Sequence, residues 1–363
     1  MSPAFPNSAN LDDSRKGGVD SVFTPLDPKS PSLETGDEGY IKLESTGKPR
    51  PLGRGVTGFT KNNNNLSALR KGGIDGLPYW LKQEIPDSVI LERARILSGF
   101  GVSTVCQEAK CPNISYCFRH REFTFLVLGD VCSRNCRFCA VKKSSHGDLE
   151  LDLGEPMRIA EAVKELGLEY VVITSVSRDD LDDGGAEIFA RTIGLIRKIS
   201  RNIKIEVLIP DFQGKISSLK CVLDASPCVV AHNIETVERL YKYLRPEADY
   251  RLSLKVLGKI KEIQPLLITK SSVMLGLGET ETEVIETMKE LKSHQCDILT
   301  LGQYLAPSIN HYPVEEFIPP EQFQKYKDSG LALGFKSVLS GPVVRSSYKA
   351  AEVYKEVTYC LTK

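Results

Sequence analysis

The chain has 363 residues, with 47 basic and 47 acidic side chains, so it carries no formal net charge at neutral pH. An even charge balance gives no reason to expect a nucleic acid partner, and no apolar run approaches the roughly 20 residues that a membrane span needs. By length alone the chain could form two domains, but one large α/β barrel of about 200 to 250 residues with extensions at its ends fits as well.

The first 65 residues are poor in large apolar side chains and end in a run of four asparagines, 62–65. Such a segment buries too little apolar surface to offset its ordering entropy, so residues 1–65 are predicted to be a disordered extension. Its eight acidic residues argue against a mitochondrial transit peptide, which would be Arg-rich and almost free of acids. We therefore expect a bacterial cytoplasmic protein, or one of the mitochondrial matrix if the source is eukaryotic.

Residues 66–121 are predicted to form an N-terminal extension that carries three cysteines. Cys106, Cys111 and Cys117 have C-x4-C-x5-C spacing, in a stretch with Pro, Asn and Ser that is typical of a loop. Spacing alone leaves open a Cys3His zinc site with His120 as the fourth ligand.

A second cysteine triplet directly follows the first predicted strand, 123–129. Cys132, Cys136 and Cys139 have C-x3-C-x2-C spacing. Structural zinc and an ordinary cysteine-bound cluster take four protein ligands, so a compact loop with three thiols indicates an iron-sulfur cluster with one iron open to substrate or cofactor. No secretory signal precedes the triplets, so metal or redox chemistry is expected rather than a disulfide framework.

Residues 122–310 alternate between the periods of strands and helices. Five further strands are predicted at 170–175, 203–209, 228–233, 272–277 and 297–302, and the helix near 281–294 begins with a capping box, Thr280 with Glu283. Apolar strands separated by helices indicate a buried parallel sheet. Six of them predict an α/β fold, a partial (β/α)6 TIM-like barrel, whose chemistry lies at the C-terminal ends of the strands.

Polar side chains at these strand ends are candidates for cofactor binding. They are Ser175, Ser177, Arg178 and Asp179 after the second strand, Glu206 on the third, and Asn233 and Glu235 after the fourth. They are chosen by position alone, since a charged loop residue is usually only solvated.

The second cysteine loop, with Phe138 directly before its third cysteine, resembles that of the radical S-adenosylmethionine superfamily. Further segments between Leu77 and Lys349 are similar to those of the lipoyl synthase family. These segments are 106–113 with Cys117, 172–181 with 183–185, 210–212, 232–237, 274–280, 302–305 and Arg-Ser-Ser-Tyr at 345–348. Small departures occur at 122–123, where a smaller residue is expected, and at Ser272, where glycine is common.

The resemblance implies S-adenosylmethionine and two 4Fe-4S clusters as cofactors. Cys132, Cys136 and Cys139 would hold the cluster that cleaves S-adenosylmethionine to methionine and a 5'-deoxyadenosyl radical. The upstream triplet would hold an auxiliary cluster whose fourth ligand is Ser347, in a C-terminal extension of residues 311–363. A hydroxyl suits iron less well than a thiolate, so this iron should be labile. The two extensions are expected to cover the barrel mouth.

The implied reaction is radical insertion of two sulfur atoms at C6 and C8 of an octanoyl group on a lysine, with the auxiliary cluster as sulfur donor. The implied partners are an octanoylated lipoyl carrier domain (2-oxoacid dehydrogenase E2 or glycine cleavage H protein), an electron donor such as ferredoxin or flavodoxin, and an iron-sulfur carrier that rebuilds the cluster. Neither nucleic acid nor membrane is expected. Two alternatives stay open: another sulfur-inserting radical enzyme, resembling biotin synthase or a methylthiotransferase, and a non-enzymatic zinc protein.

Overall fold

A computed structural model describes residues 77–83, 85–144 and 149–361. They belong to the compact unit Asn63–Lys363. The prediction of disorder for residues 1–65 lies outside the described residues. Within the described ranges, no helix is long and apolar enough to cross a bilayer.

The core of the fold is an eight-stranded sheet in the order β1-β2-β5-β6-β7-β8-β9-β10. Its strands are β1 Ser103–Thr104, β2 Thr124–Val127, β5 Tyr170–Ser175, β6 Lys204–Leu208, β7 Val229–Ala231, β8 Ile268–Leu275, β9 Ile298–Gln303 and β10 Ser337–Gly341. All neighbouring pairs are parallel except β1 and β2. The edge strands β1 and β10 are not paired with each other in the described sheet, so the barrel is open on one side. A separate parallel pair joins β3 Val131–Cys132 to β4 Lys142–Lys143.

Helices connect the parallel strands, as long parallel crossovers require. They are α1 Ser88–Gly99, α2 Val105–Glu108, α3 Ile114–Arg119, α4 Glu155–Glu165, α5 Ala186–Ile199, α6 Ile216–Asp224, α7 Glu238–Leu244, α8 Tyr250–Ile263, α9 Glu281–Ser293, α10 Pro320–Ala332 and α11 Ala350–Leu361. The amphipathic helices bury one apolar stripe against the sheet, as Ile159 and Val163 of α4 do. The predicted capping box of Thr280 and Glu283 is confirmed.

The predicted α/β class and all six predicted strands are confirmed, and the sheet contains two strands that the sequence did not predict. Strand β1 has only two residues, too few to show a period. Strand β10 has two apolar residues among five and lies in the segment assigned to the C-terminal extension. The loop prediction around the upstream triplet is wrong in part, because Cys106 lies in α2 and Cys117 in α3.

The C-terminal helix α11 closes the end of the barrel at which the parallel strands begin. Val353 and Val357 pack against the first residues of β7, β8 and β9. The ring of Tyr354 lies 5.7 Å from that of Tyr170, the first residue of β5. Helix α11 therefore closes the barrel interior at this end.

Candidate active site

A cavity of about 1030 Å³ occupies the inside of the open barrel. Both cysteine triplets line it: Cys106, Cys111, Cys117, Cys132, Cys136 and Cys139. All six are free thiols. The cavity therefore joins two cysteine sets that are separate in sequence into one site, together with Ser347.

The loop that carries the second triplet is attached to the loop that follows β5. The backbone N–H and the hydroxyl of Ser133 both donate to the carbonyl oxygen of Ser177, at 3.0 Å each. The sulfur of Cys132 accepts from the backbone N–H groups of Ser177 at 3.3 Å and Arg134 at 3.4 Å. Backbone hydrogen bonds thus orient the first thiol of the loop toward the cavity.

Arg134, inside the same loop, forms a buried ion cluster with two carboxylates. It donates to Asp179 at 2.7 and 2.9 Å and to Asp211 at 2.6 Å twice. Burial by itself raises the pKa of Asp211, but the hydrogen bonds and charge of Arg134 lower it to about 2. These carboxylates follow β5 and β6, so the guanidinium fixes the cysteine loop to the ends of two neighbouring strands.

A second arginine, Arg245, lies beside the thiol of Cys136 in the second triplet. Burial raises the pKa of Cys136, and the Arg245 charge opposes this. Arg245 also donates to the hydroxyl of Tyr241 at 2.7 Å. Close to it, Glu235 accepts a hydrogen bond from the side chain of Asn233 at 3.0 Å, and burial raises the pKa of its carboxyl.

Strand pairing positions the upstream triplet. Strand β1 pairs antiparallel with β2, and Thr104 caps the short helix that follows by accepting a hydrogen bond from the backbone N–H of Gln107 at 3.3 Å. This places the Cys106 sulfur beside Thr124. Burial, followed by the proximity of Cys111, raises the pKa of Cys106 to about 12. The Cys106 thiol would therefore release its proton only to a bound metal centre.

The C-terminal segment 344–347 spans the gap between the two edges of the sheet. An added Cβ on Gly302 of β9 would collide with the carbonyl oxygen of Val344, so only glycine permits this close approach. Ser346 donates to the side-chain oxygen of Asn233 at 2.9 Å. At the far edge, the Thr124 hydroxyl donates to the Ser347 oxygen at 2.8 Å. Ser347 therefore lies next to the upstream triplet.

Arg345 places a cation in the cavity near the upstream triplet. Among the described residues it donates to the carbonyl oxygen of Val344 at 2.7 Å, and it forms no ion pair with a described carboxylate. Burial lowers the pKa of Arg345, and the neighbouring Cys111 opposes this. The guanidinium is thus available to compensate negative charge in the cavity.

The donor atoms do not form a site for a single ion. No three His, Cys, Asp or Glu side chains among the described residues are close enough to share one metal ion. His120, the fourth ligand in the zinc alternative, has its Nδ1 2.8 Å from the carbonyl oxygen of Tyr116, and the two rings stack at 4.1 Å. In a four-iron cluster each cysteine binds a different iron, so the three thiols of a triplet need not meet at one metal ion.

The structure brings four of the seven candidate cofactor-binding residues to the cavity: Ser175, Ser177, Asn233 and Glu235. The Ser175 hydroxyl is buried without a partner among the described residues. The other three candidates do not line the cavity, and each is committed to an ion pair. Arg178 pairs with Asp180, Asp179 pairs with Arg134, and Glu206 pairs with the buried Lys270.

Sequence reasoning missed three residues of the site. Thr124 was considered only as part of a strand, and Arg345 only as part of a motif. Arg245 ends helix α7, where no local pattern marks it. Arg345 could have been predicted as a site residue from the Arg-Ser-Ser-Tyr motif. Thr124 and Arg245 could not, because their contacts with the cysteines are made only in the folded chain.

Comparisons with known proteins show what the chain is similar to. Residues 126–291 match the family model of the Radical SAM superfamily. The lipoyl synthase of Caldanaerobacter subterraneus subsp. tengcongensis is 51% identical over 273 residues, which cover 75% of this chain and 95% of the relative. The lipoyl synthase of Caldicellulosiruptor bescii is 53% identical over 274 residues, covering 75% and 94%. Among solved structures, the FeFe-hydrogenase maturase HydG from Carboxydothermus hydrogenoformans aligns with 64% of this chain and 56% of its own at 14% identity, with a TM-score of 0.49.

Proposed function

The chain belongs to the lipoyl synthase family of radical S-adenosylmethionine enzymes, and from this premise we propose how its residues divide the reaction. The substrate is an octanoyl group on a lysine of a lipoyl carrier domain, and sulfur enters at C6 and C8. One observation carries this assignment: both cysteine triplets line the same cavity. A substrate tail in that cavity reaches a radical source and a sulfur source together.

Cys132, Cys136 and Cys139 are proposed to hold the first 4Fe-4S cluster and to leave one iron open. When bound there, such a cluster supplies the electron that cleaves S-adenosylmethionine and so begins hydrogen abstraction. The chain's contribution is orientation and charge. The backbone N–H of Ser177 donates to the Cys132 sulfur, and Arg245 places a cation beside Cys136, which stabilises both thiolates.

Ser175, Ser177, Asn233 and Glu235 are proposed to bind S-adenosylmethionine. They lie at the ends of β5 and β7, around the same opening as the cysteine loop. Glu235 offers a carboxylate to the cofactor's ammonium group, and Ser175 offers a hydroxyl whose oxygen has no partner in the described residues. A cavity with few polar groups in defined positions is the usual form of a small-molecule site.

Cys106, Cys111, Cys117 and Ser347 are proposed to hold the auxiliary cluster, which is consumed as sulfur donor. The support is that Ser347 meets the Cys106 side of the cavity through Thr124. Three thiolates and a serine oxygen bring negative charge, and Arg345 supplies a compensating cation close to Cys111.

The octanoyl chain is proposed to lie along the apolar walls of the cavity. These walls include Phe123, Leu126, Phe138, Val141, Val172, Met274 and Val344. Burying an alkyl chain there contributes about 0.8 kcal/mol per methylene. The carrier domain remains outside, and a ferredoxin or flavodoxin and an iron-sulfur carrier act from the surface. We place the enzyme in the cytoplasm, as expected for relatives of bacterial origin.

The test is anaerobic product analysis with octanoyl-lysyl peptide, S-adenosylmethionine and a chemical reductant. The wild type should contain about eight irons per chain and form both 5'-deoxyadenosine and lipoyl peptide. Cys132→Ala should keep about four irons and form neither product. Cys106→Ala should also keep about four irons but form deoxyadenosine without lipoyl peptide.

Cys221→Ala is the matched control, because this cysteine lies on helix α6 and does not line the cavity. It should match the wild type in iron content and in both products. Lipoyl formation by Cys106→Ala, or about four irons in the wild type after full reconstitution, would contradict the assignment.

A further inference from the structure

Thr124 contacts two of the residues assigned to the auxiliary cluster. It is the first residue of β2 and is 3% exposed. Its hydroxyl donates to the Ser347 oxygen at 2.8 Å, and the residue also lies beside the Cys106 sulfur. The Thr124 hydroxyl is therefore buried between Cys106 of the N-terminal extension and Ser347 of the C-terminal motif, at the point where both segments meet the barrel.

The surrounding contacts fix Thr124 and bring Ser347 to it. Parallel pairing with β5 sets Thr124 opposite Val172, so its backbone belongs to the rigid sheet. The motif segment is held from the upstream side, where the backbone N–H of Lys349 donates to Glu122 at 3.3 Å. The Ser347 side chain itself has one rotatable bond with three staggered positions, and the hydrogen bond to Thr124 selects one of them.

We propose that Thr124 is the positioning residue of the serine ligand: its hydroxyl holds the Ser347 oxygen on the Cys106 side of the cavity, where the labile iron binds. The inference rests on the proposed function, which makes Ser347 a ligand. A hydroxyl both donates and accepts, so Thr124 can go on donating when the serine oxygen is bound to iron and can only accept. Partners of this kind orient metal ligands, and their loss typically costs about 10–100-fold in metal affinity or activity.

The test compares the release of iron from reconstituted protein to an excess of a ferrous chelator, with S-adenosylmethionine present to occupy the open iron of the first cluster but without substrate or reductant. Thr124→Val keeps the shape of the side chain and removes the hydroxyl. It should release the first iron about tenfold faster than the wild type or more, approaching Ser347→Ala. Thr124→Ser, which restores the hydroxyl, should return to within about threefold of the wild-type rate. The Mössbauer signal of the oxygen-bound iron should weaken in Thr124→Val and return in Thr124→Ser.

Thr174→Val is the matched control. Thr174 lines the same cavity from β5, and its hydroxyl donates to the carbonyl of Leu208 at 2.9 Å. Iron release from this variant should stay at the wild-type rate. If Thr124→Val fails to assemble both clusters, Thr124→Ala carries the comparison, because it also lacks the hydroxyl.

Two outcomes separate this inference from the proposed function. If Ser347→Ala accelerates iron release and Thr124→Val does not, the role of Thr124 is refuted while the serine ligand stands. If Ser347→Ala releases iron at the wild-type rate, the serine assignment itself is refuted. The double variant Thr124→Val/Ser347→Ala should equal Ser347→Ala, because Thr124 acts through the serine. Additive effects would overturn the inference, since Thr124 would then act through Cys106.

Discussion

Replacing Arg134 with glutamine should destabilise the folded chain by about 3–5 kcal/mol, because it leaves a buried carboxylate without its cation. The side chain of Asp211 is 1% exposed, whereas that of Asp179 is 29% exposed, so Asp211 accounts for most of the loss. The pKa of Asp211 gives a second figure. Its fall from 3.8 to about 2 corresponds to roughly 2.4 kcal/mol.

The sign of this contribution follows from the direction of the pKa change. A carboxyl whose pKa is lower in the folded state stabilises it fully above the unfolded value, and the stabilisation is lost as the pH falls toward the folded value. For Asp211 the loss therefore begins below about pH 3.8 and continues toward pH 2. The full contribution is present at neutral pH, where the enzyme is handled.

The assay is thermal unfolding of anaerobically reconstituted protein at one fixed scan rate. For a unit of this size, 1 kcal/mol changes the midpoint by about 2 °C, so Arg134→Gln should unfold about 6–10 °C below the wild type. Arg158→Gln is the control, because its pair with Asp152 is largely exposed and contributes less than about 1 kcal/mol.

The double variant Arg134→Gln/Asp211→Asn should recover a large part of the midpoint, since it removes the unpaired charge together with its cation. A midpoint for Arg134→Gln that falls no further than that of Arg158→Gln would refute the reasoning. The cysteine loop would then be held by its backbone hydrogen bonds alone.

Three further perturbations follow from the structure. Burial lowers the pKa of His232 from 6.5 to about 4. The free energy of unfolding should therefore fall by about 1.4 kcal/mol per pH unit as the pH drops from 6.5 toward 4. In His232→Gln the unfolding midpoint should depend less on pH over this range. Gly302→Ala should displace the C-terminal motif at a cost of about 1–3 kcal/mol and should lower lipoyl formation more than deoxyadenosine formation. Gly194→Ala is the control: its added Cβ would meet nothing within 4 Å, so both products should stay at the wild-type level. Lys270→Met should lower the unfolding midpoint by about 6–10 °C, because it leaves the buried Glu206 carboxylate without its cation. The double variant Lys270→Met/Glu206→Gln should regain much of the lost midpoint. Equal midpoints for the single and double variants would contradict this prediction.

The parallel barrel could be predicted from the sequence because its strands are continuous apolar runs. Val171, Val172 and Ile173 of β5 are all buried, so their side chains produce a signal that needs no knowledge of their neighbours. Strand β10 gives no such signal, since it has two apolar residues and is recognised only by its pairing with β9. Local patterns thus predict buried central strands well and edge strands poorly.

The site was predictable where spacing alone carries the chemistry, as in the two cysteine triplets. Sequence spacing does not show that the two triplets share one cavity, or that Arg245 and Arg345 lie beside them, because strand pairing and contacts between distant residues produce both. Glu206 shows the difference: on the sequence it is a polar residue on a barrel strand, but in the fold Lys270 occupies its carboxylate at 2.8 Å. No local pattern reveals whether a strand carboxylate faces a ligand or an internal cation.

The position of helix α11 also has a consequence for the motif that precedes it. Val353 and Val357 pack against the first residues of β7, β8 and β9. The motif at 345–348 therefore leads directly into a helix that is anchored on three strands of the sheet. A substitution that loosens α11 would be felt in the cavity through Ser347, which lies just before the helix.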